Sequence, residues 1–155
     1  MRPTVRNFRP GDEQRVSEIH SENSQHFEED HLPPAFIAET AGRSDFHILI
    51  SEVDGKITGF CGMYYRRNVG RAEIGPLAVD RHSRREKTGE RLLESALEFL
   101  RQAGIHRVTA VVKTGNHEAI KFFTRNHFRE EAVLEKYTRR MEDAVQLVHI
   151  IRDHI

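Results

Sequence analysis

The chain predicts a mixed α/β fold, an α+β arrangement with a twisted, mostly antiparallel sheet of about seven strands flanked by four helices. Two observations predict it. Strand-like segments, HILISEV and KITGFCGMYY, flank Asp54-Gly55, a strong tight-turn signal. Amphipathic segments with a period near 3.6 are interleaved with the strands, most clearly RLLESALEFL at 91–100. With 155 residues and no Gly/Ser/Pro-rich linker, the chain reads as a single domain, 1–155.

Taken in order, Thr4 to Phe8 reads as a first strand closed by Arg9-Pro10-Gly11. Asp12 is placed to N-cap a helix carrying Val16, Ile19 and His20. Pro33-Pro34 opens a second helix with Phe36, Ile37 and Ala41, ending near Gly42. After the hairpin, a turn at Asn68-Val69-Gly70 leads to a strand from Ala72 to Val79. The next helix opens at Gly89-Glu90, gathers Leu92, Leu93, Ala96, Leu97, Leu100 and Ala103 on one face, and stops at Gly104. RVTAVV, beginning at Arg107, is apolar enough for a central strand. Asn116 then caps a helix whose Ala119, Ile120 and Phe123 face inward. Phe128 to Tyr137 and Ala144 to Ile151 read as two closing strands joined by a polar connection.

Composition narrows the function. Lys and Arg balance Asp and Glu at 24 each, which argues against a general nucleic-acid-coating protein. The one cysteine, Cys61, allows no internal disulfide and, mid-strand, reads as core rather than nucleophile. The ten histidines show no paired ligand spacing, so no metal is expected, and His20, His26 and His31 are expected at the surface. No window approaches transmembrane length and the first residues lack an apolar signal core, so a cytoplasmic protein without membrane partners is expected.

Any anion site must be local, and one segment supplies it. Between the strand ending at Val79 and the helix opening at Gly89 lies RHSRREKTGE. The unpaired N–H groups of a helix's first turn, with the positive end of its dipole, attract anions. Arg84, Arg85 and Lys87 would add charges suited to phosphate. That implies a pyrophosphate-bearing cofactor at the carboxyl end of a strand. The run lacks the G-x-x-x-x-G-K-[ST] framework of a nucleotide P-loop, so an ATPase reading fails.

The order of elements and these motifs resemble the GNAT superfamily of N-acetyltransferases over nearly the whole chain. The strand end Leu77-Ala78-Val79, the loop Arg84 to Gly89, and the set Asn116, Ala119, Phe122, Phe123 and Phe128 carry the resemblance in the family's order. It implies acetyl-CoA as cosubstrate, lying between the strand of Leu77 to Val79 and the strand of Val108 to Val112. Backbone groups at Leu77 and Val79 would bind the pantetheine arm as an added strand and polarise the thioester carbonyl. The N–H groups of Arg85, Lys87, Thr88, Gly89 and Glu90 would take the pyrophosphate, with Asn116 and Phe123 bordering the arm's other side and Phe122 beside them. Four positions depart from the family, one of them Arg85, which stands where a glycine often follows the arginine. Lys87 stands where the first loop glycine is usual and would have to adopt a helix-compatible conformation. His127 replaces a frequent glycine, with Asn126 left as the helix stop. Phe123 stands where many relatives carry a tyrosine thought to protonate the leaving thiolate, which phenylalanine cannot do.

The same resemblance makes Glu73 the candidate general base, against the alternative of an ordinary solvated strand residue, and Tyr137 the substitute acid or a wall of the acceptor pocket. An amine with a pKa of about 10, or roughly 8 for a peptide α-amine, gains from a base at neutral pH. Acceptor pockets in this fold are built by the first two helices, their loop and the connection between the last strands. Here that first region is acidic and His-rich: Glu22, His26, Glu28, Glu29, Asp30, His31 and Glu39. It would attract a cationic amine, whether a peptide or protein amine or a small polyamine, or it is simply a charged helix face. The rival to an enzyme is a non-catalytic acetyl-CoA-binding regulatory module. Monomer and homodimer are both compatible with the sequence.

Overall fold

A computed structural model describes residues 3–83 and 87–152. The elements are β1 (Thr4–Asn7), α1 (Glu13–Glu22), α2 (Pro34–Ala41), β2 (Phe46–Val53), β3 (Lys56–Arg66), β4 (Arg71–Val79), α3 (Thr88–Gln102), β5 (Arg107–Lys113), α4 (His117–Arg125), β6 (Arg129–Leu134) and β7 (Ala144–Ile150), with a 3-10 turn at Ser24–His26. The seven strands form one sheet in the order β1-β2-β3-β4-β5-β7-β6. Every pairing is antiparallel except β4 with β5. The predicted fold class is therefore the one observed.

Alternation along the strands sorts the core into two layers. Ile48, Ile50, Phe60 and Ala78 point to one face and pack with Val16 and Ile19 of α1 and Ile37 of α2. Leu49, Cys61, Met63 and Ile74 point to the other and pack with Leu92, Leu93, Ala96 and Leu100 of α3 and with Phe123 of α4. Cys61 is fully buried, and burial pushes its thiol up to about 12, so it is an inert core residue as expected.

The local signals mostly act as read. Asp54 and Gly55 both take positive φ, 53° and 77°, the geometry of the tightest hairpin turns. Gly104, at φ 83°, ends α3: its N–H donates to Arg101 O, and that of buried Ile105 donates to Leu100 O.

Three details differ. Asp12 occupies the cap position of α1 but makes no cap bond; its carboxylate accepts from the Arg9 N–H and pairs with Arg6 at 2.8 Å, which outcompetes the helix's own donors. Those hydrogen bonds to Arg6 and Arg9 hold its carboxyl below the usual aspartate range despite partial burial. The sixth strand stops at Leu134, because Lys136 takes a left-handed φ of 48° and donates its N–H to Asp143 Oδ1. Finally, His20 is completely buried instead of lying at the surface, stacked on Phe27 with centroids 4.7 Å apart. Position 20 falls on the same helical stripe as Val16, which carries it inward.

Neither nitrogen of the His20 ring has a hydrogen-bond partner among the described residues. Burial holds its pKa below the ordinary imidazole range; His31 acts in the same direction, and Glu29 opposes them. A histidine that resists protonation when folded but accepts it near pH 6.5 when unfolded makes stability fall as pH drops below about 6.5. His20→Leu should remove that dependence, and two unsatisfied buried nitrogens with it. Urea denaturation at pH 5.5 should find the variant more stable than the parent by about 1 kcal/mol or more, with a smaller margin at pH 7.5.

Candidate active site

The site begins with a break in the sheet. β4 and β5 pair in parallel only from Arg71↔Arg107 to Ile74↔Ala110. On its other side β4 passes from Ile74↔Met63 to Leu77↔Cys61, so Gly75 and Pro76 stand opposite the single residue Gly62. Such a two-for-one bulge bends the strand and increases its twist, and Pro76 has no N–H to offer either neighbour. Beyond it β4 stays with β3 while Val111 to Lys113 stay with β7. The two strands part like a V.

The parting leaves a cleft of about 540 Å³. One wall is β4 from Glu73 to Leu77 together with Val79, and the other is β5 from Ala110 to Lys113. Alternation assigns the backbone. Asp80 donates its N–H to Thr58 O on β3, so Ala78 faces β3 as well, while Leu77 and Val79 direct their N–H groups toward the vacated edge. At one end of the cleft lie Lys87, which precedes α3, and Gly89 and Glu90 of its first turn, with Asn116, which caps α4, and Ala119, Phe122 and Phe123 of α4 beside them. At the other lie His26, Phe27, Glu28 and Glu29 from the α1–α2 segment, and Tyr137 and Thr138 from the β6–β7 connection.

The structure thus gathers Glu73, Tyr137, Leu77, Val79, Lys87, Gly89, Glu90, Asn116, Phe122 and Phe123 around one opening. It does not bring Ala78 there: period two turns its side chain into the α1–α2 core. Nor does it bring Thr88, which is fully buried in the first turn of α3, its hydroxyl without a partner among the described residues. Arg84 and Arg85 lie outside the described residues. Of the acidic, His-rich segment, only His26, Glu28 and Glu29 reach the cleft. Glu22 pairs with Arg15 at 3.6 Å, Asp30 pairs with Arg140, and His31 hydrogen-bonds Ser21; Glu39 lies on α2. Tyr137 sits in the connection after β6 rather than on a strand, half exposed, with its N–H donating to Glu142 O.

Lys87 corrects the expected conformation. It precedes α3 at φ 59° and ψ 22°, left-handed, so it adopts the backbone a glycine would supply instead of a helical one. His127 does the same at φ 73° after α4, whereas Asn126 keeps a negative φ and donates its side-chain amide to Phe122 O. Asn116 caps α4 as predicted, its Oδ1 accepting from the Ala119 N–H at 3.2 Å. Phe123 is buried in a chain of rings with Phe122 and Phe128.

Electrostatics distinguish the two polar candidates. Glu73 keeps solvent access at the mouth, yet the surrounding walls withhold enough water to raise its carboxyl above the usual glutamate range. Tyr137 is raised above the ordinary phenol range, first by desolvation and then by the charges of Glu73 and Glu28, so it keeps its proton at neutral pH.

Sequence reasoning missed the bulge residues Gly62, Gly75 and Pro76, and also Asn23. The Asn23 amide donates to Ile19 O and to Val79 O, tying the end of α1 to the end of β4. A Gly-Pro pair within an apolar strand was the available signal for the bulge.

Residues 13–128 match the model of the acetyltransferase (GNAT) family. The chain belongs to that family. It is an acetyltransferase, and its relatives include N-acetyltransferases. One, from Bacillus subtilis (strain 168), is 28% identical over 142 residues, 91% of each chain, and is named as a candidate ribosomal protein bS18 alanine N-acetyltransferase. Among solved structures, Ard1 from Thermoplasma volcanium is 26% identical with a TM-score of 0.86, covering 99% of this chain and 100% of its own. A candidate acetyltransferase from Salmonella typhimurium, solved with its cofactor acetyl-CoA, shares the fold at 18% identity and a TM-score of 0.82, covering 99% of this chain and 96% of its own.

The bulge is open to direct test. A Cβ at Gly62 would meet Phe46 Cζ at 2.7 Å and Gly75 O at 3.0 Å. Gly62→Ala should therefore destabilise the protein by about 1–3 kcal/mol, measured by urea denaturation, as overpacking of a filled core does.

Proposed function

We propose that this acetyltransferase uses acetyl-CoA to acetylate a primary amine by direct attack in a ternary complex, and that the amine is the α-amine of a peptide or protein. The observation that carries the reading is the parted β4–β5 edge, which joins a helix N-terminus at one end to an acidic mouth at the other.

The residues present fit acetyl-CoA. The exposed edge at Leu77 and Val79 offers backbone groups to an amide-rich arm, as a missing strand would. A Cβ at Gly89 would lie 3.3 Å from the Phe122 ring and 3.8 Å from Val79 Cγ2, so glycine lets this first turn sit close against the cleft wall. There the N–H groups of Lys87, Gly89 and Glu90 suit a pyrophosphate, and the Lys87 ammonium adds positive charge. Acetyl-CoA supplies an activated acyl group as a thioester.

This chain's own residues would do the rest. Glu28, Glu29 and Glu73 draw a cationic amine into the mouth. Glu73, its basicity raised by partial desolvation, takes the proton the amine must lose, directly or through a water. A backbone N–H at Leu77 or Val79 polarises the carbonyl under attack. Tyr137, which holds its proton at neutral pH, returns one to the departing sulfur in place of the hydroxyl that Phe123 lacks. A peptide acceptor is supported by the Bacillus subtilis relative, whose name assigns it to a ribosomal protein's alanine, and by a mouth walled by two loops rather than closed over.

Calorimetric titration with acetyl-CoA, followed by turnover assays, tests the reading. Three acceptors are compared: an Ala-initiated peptide, the same peptide N-blocked and carrying a lysine, and spermidine. Turnover of the first above the other two is expected; preference for spermidine would replace the peptide acceptor with a small amine. Gly89→Trp should weaken acetyl-CoA binding at least about 10-fold, and unchanged affinity would remove the helix start from the cofactor site. Glu73→Gln should lower kcat/KM by about 10²-fold while leaving acetyl-CoA affinity intact. The pH profile gives the sign. A carboxyl with a raised pKa is protonated, and useless as a base, at low pH, so activity rises with pH through that pKa. The Gln variant should lose that limb.

A further inference from the structure

We propose that Lys113 is a positioning residue for the acceptor, a clamp that holds both loops of the cleft mouth in register; this rests on the reading of that mouth as the acceptor entrance. Lys113 closes β5, and its side chain is only 17% exposed. The ammonium donates to the Gln25 carbonyl at 3.2 Å and pairs with Glu142 Oε1 at 3.3 Å. Gln25 belongs to the segment that presents Phe27 and Glu28 to the cleft. Glu142 fastens the opposite loop: its carbonyl accepts the N–H groups of Tyr137 and Thr138, its own N–H donates to Thr138 Oγ1 at 3.0 Å, and the Thr138 hydroxyl donates to its carboxylate.

One cation at the end of a core strand thus fixes two loops that are distant in sequence, and with them the placing of Tyr137 opposite Glu73. The loops also touch each other without it. The Arg139 N–H donates to Glu28 Oε1 at 3.0 Å, and its guanidinium to Glu28 O at 3.1 Å. Arg140 pairs with Asp30 at 3.3 Å, but those side chains are 64% and 72% exposed, and pairs so solvated contribute little. Lys113 differs because it is partly desolvated, binds a main-chain carbonyl as well as a carboxylate, and stands on the rigid sheet. It links both loops to the strand that lines the cofactor arm, whereas the neighbouring Thr114, whose N–H donates to Asp143 O at 3.1 Å, reaches the second loop alone. Loss of Lys113 should therefore loosen the acceptor side and spare the cofactor side.

The test compares Lys113→Met, Lys113→Arg and Arg140→Ala in the full chain. Hydrogen exchange over residues 24–33 and 135–143, which requires no acceptor, should quicken in both loops in Lys113→Met by about 5-fold or more, and stay at the parent rate in Arg140→Ala. With the Ala-initiated peptide, Lys113→Met should raise the acceptor KM about 5- to 10-fold and lower kcat as Tyr137 loses its placing, while acetyl-CoA affinity stays within about 2-fold. Lys113→Arg should recover most of the KM. Unchanged exchange in either loop, an unchanged KM, or an acetyl-CoA affinity that falls in step with the KM overturns the clamp. If the parent enzyme binds acetyl-CoA but leaves the peptide unmodified, the α-amine reading fails, and the exchange rates alone then decide whether Lys113 holds the loops.

Discussion

The structure depends on one constraint: β4 cannot satisfy two neighbours along its whole length. Its first four residues are paired on both sides. At Gly75-Pro76 an extra residue is inserted against β3 and a backbone donor is missing. From there the strand can follow only one neighbour, and it follows β3, where Leu77 to Val79 regain a ladder. The cost of parting is an unpaired edge in the middle of a sheet, a place where buried backbone groups normally demand partners. A ligand able to hydrogen-bond like a strand would satisfy that demand, which makes the fold's weakest seam the natural seat of an extended, amide-bearing arm.

The helices then act as brackets around the seam. α3 is held along its length by Leu92, Leu93, Ala96 and Leu100 and stopped by the Gly104 turn, so its start is aimed at the cleft. α4 is anchored by the rings of Phe123 and Phe128 and sets Phe122 against Gly89. On the opposite face α1 ends at Asn23, whose amide reaches the Val79 carbonyl. Each bracket touches β4 or its vacated side, so displacement of the bulge would be felt by cofactor and acceptor ends together.

The fold was legible in the sequence because its signals were local. Asp54-Gly55, Gly104 and Asn116 each specify a backbone state within a few residues, and the period of each amphipathic segment states which face is buried. The candidate site was legible in part for the same reason. Leu77, Val79, Gly89, Asn116, Phe122 and Phe123 lie on regular elements whose facing follows from period. Ala78 was misplaced because a contiguous motif ignores alternation. His20 was misread because it was grouped with His26 and His31 of the following loop, whereas its position on the apolar stripe of α1 carries it inward. The mouth was the least legible. Tyr137, Thr138 and Glu28 meet only through tertiary contacts such as those of Arg139 and Lys113, which link residues about 110 and 88 positions apart, and no local pattern encodes them.

Two residues show how the fold holds a shape that the side chain opposes. Lys87 and His127 both take left-handed backbone, a state that costs an L-residue roughly 1–2 kcal/mol and glycine almost nothing. Each borders a helix that lines the cleft, and each conformation persists because the flanking elements are fixed elsewhere: α3 by its core stripe, and the end of α4 by Phe123 and Phe128. For His127 nothing in the cleft rewards the imidazole; its carbonyl simply meets the His149 ring. Lys87 lines the cleft, and on the proposed reading a bound pyrophosphate would offset both the backbone strain and the repulsion between its ammonium and the positive end of the helix dipole. Glycine would bring the backbone to the phosphate with less strain and less charge. Because this backbone already has the glycine shape, lysine would add its charge to the proposed phosphate site without giving up that approach.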